Sequence, residues 1–229
     1  MKSFLLSLVV FVVFYGVLPA GASEWDCAST SGTFERSTDC TMGDEVAVSG
    51  DLTVTGKETV YSTLTAASGK RHFKITSGAH RVSLSWLNMT GGNVGSSSGG
   101  SIYVYNVAAR LNVSHCVFFN NLARHGGAIL LQQGTFEGEW NTFVRNTATG
   151  GVGGAILLQV GSVVSSTHSS FIKNSAGSQG GAICAHGNSG TGTPTQLILT
   201  RVELTENKQT NAGTSLFFTV AAGFIYPAT

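Results

Sequence analysis

Apolar and polar residues alternate along this chain in short runs, with glycine and asparagine between them. Ala128-Ile-Leu-Leu-Gln132 and Ala155-Ile-Leu-Leu-Gln159 are typical, and residues 46–55 and 71–89 alternate in the same way. Beyond residue 22 no stretch repeats its apolar side chains every 3.6 residues, so helices are not expected. Two motifs recur. Gly-Gly-Ala-Ile begins at Gly126, Gly153 and Gly180, 27 residues apart, with a degenerate copy at Gly99-Gly-Ser-Ile102. Phe-x-x-Asn occupies 118–121, 143–146 and 171–174, and Leu204-Thr-Glu-Asn207 continues it. So short a period without helical patterning predicts a chain wound into stacked rungs, with parallel strands about 4.8 Å apart.

In such a coil equivalent positions lie over one another. Phe118, Phe143, Phe171 and Leu204 form one inward column, and Asn121, Asn146, Asn174 and Asn207 form an amide ladder at a corner. The expectation includes asparagines that themselves take the unusual corner backbone. In Arg201-Val202-Glu203-Leu204 the charged pair must face solvent, so Val202 and Leu204 face inward. Carried back rung by rung, the position of Arg201 is held by His168, Trp140 and His115. These four make an outward column of planar groups, read as a platform for a sugar or a protein or as a plain surface ladder. The coil is expected to start near residue 46 and to hold seven or eight rungs, the last set off by a Gly/Ser/Thr/Pro loop at 187–195. The apolar stretch 213–226 serves as a cap or a further strand, and 212–216 reads as a last echo of the glycine motif.

Together, the two motifs resemble the repeat of chlamydial polymorphic outer membrane proteins, across about residues 99–216. More widely they are similar to the right-handed parallel β-helix superfamily shared with pectate lyases. The resemblance implies an all-β, right-handed parallel β-helix and a surface or adhesive role. Those bacterial proteins are exported through a C-terminal β-barrel, and this chain shows no barrel-length tail of alternating strands.

The first 22 residues read as a secretory signal: Lys2, a long apolar run, then Ala20-Gly21-Ala22. The apolar run is short for a membrane anchor, and no later stretch is long and apolar enough to span. Removing Lys2 leaves 12 basic and 12 acidic side chains, a formal net charge of zero. No basic cluster offers a surface for nucleic acid. The organisation expected is a signal at 1–22, a cap segment at 23–45 and a β-helix at 46–229. In an oxidising compartment Cys27 and Cys40, which flank a turn, are expected to pair, and Cys116 and Cys184 to remain buried thiols.

Catalytic chemistry finds little support. A pectate-type lyase needs several acids to hold calcium, and a glycosidase needs two carboxylates at a set separation. No Asp or Glu occurs between Glu58 and Glu137, and none between Glu139 and Glu203. Glu137 and Glu139 share a face and are the one acid pair within the regular coil that suits such work. No metal or cofactor pattern is present. Asn88-Met-Thr90 and Asn112-Val-Ser114 are N-glycosylation sequons, meaningful in a eukaryotic secretory pathway. The reading is a secreted or cell-surface, non-catalytic module that binds an extracellular carbohydrate or protein surface, for adhesion or ligand capture. The alternative is a polysaccharide lyase or glycoside hydrolase on the same fold. A piece of a longer surface protein is a further possibility.

Overall fold

In the computed structural model, residues 22–159, 161–187, 194–210, 216–218 and 222–225 are described. Every element among them is a strand, and every pairing is parallel. One turn of the coil runs through Arg110–Ser114, Val117–Phe119, Leu122–Ala123 and Ile129–Leu131, then enters the next turn at Thr135–Glu139. Repetition of that path builds a broad nine-stranded sheet, two seven-stranded sheets and a four-stranded corner ladder. The chain is a β-solenoid, a parallel β-helix; parallel crossovers of this kind are right-handed in nearly all proteins.

The repeat motifs explain how the rungs close. Phe118, Phe143 and Phe171 are fully buried and lie in register on what we call the phenylalanine sheet. Their rings stack at 4.6 Å with 4° between planes at both steps. The column continues through Met89 and Leu64 on one side and Leu204 on the other. Ile102, Ile129, Ile156 and Ile183 form the matching column of the isoleucine sheet, and Leu216 takes the next place at the end of the 212–216 echo. In the glycine motif the two glycines have separate duties. Gly126 has φ +58°, a backbone that side chains rarely adopt. A Cβ on Gly127 would lie 2.2 Å from the Gly154 carbonyl oxygen one rung away.

Asn121, Asn146, Asn174 and Asn207 form a continuous amide chain. Each Nδ2 donates to the Oδ1 of the next asparagine, at 3.0, 3.0 and 2.9 Å. Each Nδ2 also donates to a carbonyl one rung back: Met89, Phe118, Phe143 and Phe171 in turn. Three of those four carbonyls belong to the motif's own phenylalanines, which explains why Phe and Asn travel together. The left-handed corner, however, falls one residue earlier than expected. Asn120, Arg145, Lys173 and Glu206 carry φ of 55°, 53°, 55° and 52°, and none of the four ladder asparagines has positive φ. The asparagine is there for its amide, and the residue before it makes the bend.

Strands also begin earlier than residue 46. Ser23–Glu24 and Gly32–Glu35 pair into the broad sheet, and Cys40–Thr41 joins the phenylalanine sheet. The segment expected as a separate cap therefore supplies the first strands of the coil, because its backbone groups find partners there. Trp25 is fully buried and stacks on Phe73 at 5.8 Å, closing that end of the bore. Cys27 and Cys40 are disulfide-bonded across this region. The signal-peptide stretch up to residue 21 lies outside the described residues, as do most of the 187–195 loop and parts of 211–229. Among the described residues no helix is long and apolar enough to cross a membrane.

Candidate functional site

The outward column sits where the broad sheet turns into the phenylalanine sheet. Trp86, His115, Trp140, His168 and Arg201 each follow a strand of the broad sheet or of its next rung, and each has positive φ, between 48° and 57°. A left-handed residue here swings its side chain out of the coil while the chain reverses direction. Trp86 was not expected in the column. Its rung lacks both repeat motifs, and only an aromatic three places before the core residue Met89 marks it. Tyr61 extends the stripe, meeting Trp86 edge-on at 5.8 Å.

The rings are stacked along the rod. Trp86 and His115 lie 4.0 Å apart, and Trp140 and His168 lie 4.2 Å apart, with planes within 17° and 5°. Between the two pairs is a step: His115 and Trp140 are near-parallel, but their centroids are 6.4 Å apart. Most ring faces are thus occupied by neighbouring rings. The column offers ring edges, plus the face of Trp140 that looks toward His115. Trp140 is 50% exposed. At the far end Arg201 Nη1 donates to His168 Nε2 at 3.0 Å. A guanidinium only donates, so the ring proton of His168 is on Nδ1, which is buried without a partner.

Beside this column runs an open groove of about 580 Å³ across four rungs of the broad sheet. Its floor is an array of outward side chains: Ser83 and Ser85, Asn112 and Ser114, Glu137 and Glu139, Ser165 and Thr167. Each pair lies on one strand two residues apart, and like positions are in register between rungs. Glu137 and Glu139 are therefore brought into the same site as His115, Trp140 and His168, which the sequence did not place beside them. Both carboxylates rise from one strand on one side of any bound chain. Glycoside hydrolysis needs two acid groups that flank the bond, and one strand does not supply that. Among the described residues no group of three or more His, Cys, Asp or Glu could hold a metal ion.

Other candidates fall elsewhere. Cys116 and Cys184 are buried, and burial pushes both thiols up to about 12, away from reactivity. Cys116 lies just inside the column, and there the structure reveals a second buried polar contact. Asn141 accepts from the Cys116 backbone N–H at 2.9 Å and donates to the Val113 carbonyl at 2.8 Å. Of the sequon asparagines, Asn112 lies on the groove floor, where an attached glycan would fill the groove. Asn88 is on the phenylalanine sheet with its Oδ1 buried and unpartnered.

One rung of this architecture decides the kinship. Residues 168–186 match the family model of the Chlamydia polymorphic membrane protein (Chlamydia_PMP) repeat. The matched segment runs from His168 of the column through Phe171 and Asn174 to the third Gly-Gly-Ala-Ile, so it holds one copy of each motif. Neither curated proteins nor solved structures give a match to the chain. The polymorphic membrane protein repeat and the β-solenoid together fit a surface-type, non-catalytic module.

Proposed function

We propose that this chain is a displayed or secreted binding module that lays an extended glycan along the groove, against the aromatic column, and that it serves adhesion or capture. The observation that carries this reading is the uncovered face of Trp140 at the step between the two stacked ring pairs, opening beside a floor of hydroxyls and amides. An indole face accepts the C–H face of a sugar, and regularly spaced hydroxyl and amide groups pair with sugar hydroxyls. Repeating rungs favour a repeating ligand: the rise of about 4.8 Å per rung is close to the length of one β-1,4-linked hexose. Export through a signal at residues 1–22 and pairing of Cys27 with Cys40 in an oxidising compartment belong to the same proposal.

The test is a glycan array probed with the protein and with Trp140→Ala. Binding to extended glycans that Trp140→Ala abolishes, with an unchanged circular dichroism spectrum, supports the site. Equal binding by both proteins removes it.

A further inference from the structure

The charge of the groove specifies its glycan, an inference that rests on the glycan-binding reading above. Glu137 and Glu139 are exposed on the outward positions of Thr135–Glu139. Among the described residues neither belongs to an ion pair; the pairs that form involve Glu24, Asp44, Glu45 and Glu206. Their neighbours in register are Asn112 and Ser114 on one side and Ser165 and Thr167 on the other, all neutral. The basic residues of this sheet, Arg81 and Arg110, stand at the first positions of their strands and outside the groove lining. Arg201 is two rungs along the column and bonded to His168. The groove therefore holds two uncompensated negative charges at its centre, on the same rung as Trp140.

The carboxylates do not make the site. The groove and the open indole face do, and the acids set the sign of what can lie there. We infer that the groove takes a hexosamine polymer bearing free amino groups, with ammonium groups over Glu137 and Glu139 and a sugar ring against Trp140. An ammonium beside an exposed indole adds cation–π attraction to the ion pair. The same charges repel polyuronates and sulfated chains. A basic polypeptide shares the charge but not the fit. The groove lies within a sheet whose strands are paired on both sides, so it has no free edge for a peptide strand, and its floor has hydroxyls in place of side-chain pockets.

The experiment is titration calorimetry of the oxidised protein at mildly acidic pH with three short oligomers: β-1,4-glucosamine, its N-acetylated counterpart and galacturonate. Polylysine serves as a fourth ligand, and Glu137→Gln/Glu139→Gln and Trp140→Ala as variants. The expected result is tightest binding of the free-amine oligomer, at least about tenfold over the acetylated one, with no binding of galacturonate. The double variant should close that gap, Trp140→Ala should weaken both hexosamine oligomers, and added salt should weaken only the free-amine oligomer. Equal binding of the amine and acetylated oligomers overturns the charge selection and leaves the glycan groove standing. Binding of polylysine as tightly as the amine oligomer, or of galacturonate at all, overturns it as well. Absence of binding by every glycan overturns both readings.

Discussion

Replacing Asn146 with alanine removes the middle of the amide ladder. Its Oδ1 accepts from the Asn121 backbone N–H at 3.1 Å and from Asn121 Nδ2 at 3.0 Å, and its Nδ2 donates to the Phe118 carbonyl and to Asn174 Oδ1. Asn146 is fully buried, so no water replaces the lost oxygen. Two buried donors are stranded at roughly 1–3 kcal/mol each, so the cost should be about 4 kcal/mol. The same change at Asn207 strands the equivalent donors of Asn174, but Asn207 is half-buried and solvent can partner them. There the cost should be about 1–2 kcal/mol. Asn146→Asp, although closer in shape, should be worse than alanine at neutral pH. It sets a carboxylate oxygen against two acceptors, Phe118 O and Asn174 Oδ1, and buries a charge. Equilibrium urea unfolding followed by tryptophan fluorescence measures this; a loss of about 4 kcal/mol lowers the midpoint by roughly 2 M at a slope near 2 kcal/mol/M. Equal losses at Asn146 and Asn207, or an aspartate milder than alanine, would refute the ladder as the source of stability.

His72 should make stability acid-sensitive. Burial is the main cause that lowers its pKa from 6.5 to about 4, against opposing hydrogen bonds to backbone groups of Leu64 and Thr90. The unfolded chain binds the proton first, so this contribution is complete above pH 6.5 and falls by about 3 kcal/mol as pH drops to about 4. His72→Gln should flatten that slope in thermal melts between these limits; an unchanged slope sinks the assignment. Phe143→Ala, in the middle of the ring stack, should cost about 3–5 kcal/mol in the same urea assay, while a loss under 1 kcal/mol would mean the column is not packed as described. Arg145→Gly should raise the melting temperature, because a left-handed arginine at φ 53° carries about 1 kcal/mol of backbone strain that glycine lacks; a lower melting temperature contradicts this. Replacing Cys27 and Cys40 together by alanine should cost about 3 kcal/mol, read by comparing urea midpoints with the oxidised parent, and no change would show that the crosslink is idle.

By itself the sequence determined the coil, its inward columns and its ladder. Both depend on translation along the rod, so a residue's number modulo the repeat places it above its equivalents. Phe118, Phe143 and Phe171 had to coincide once Gly126, Gly153 and Gly180 did. The outward column was legible only as far as that register reached, from Arg201 back to His115. Trp86 escaped because Met89 stands where the motif has phenylalanine. The first strands, at Ser23–Glu24 and Gly32–Glu35, escaped because their rung has no repeat to align.

Only the tertiary structure decided the rest. Closing a rung forces a left-handed residue at each corner, and the bend fell on Arg145 and Lys173 rather than on the asparagines. Whether rings show faces or edges depends on how far successive side chains slide over one another, and that offset is set by three-dimensional packing. It left one face of Trp140 open and closed most of the others. Glu137 and Glu139 met Asn112, Ser165 and Thr167 in one groove because parallel strands bring together residues 25 to 28 positions apart, side by side and facing the same way.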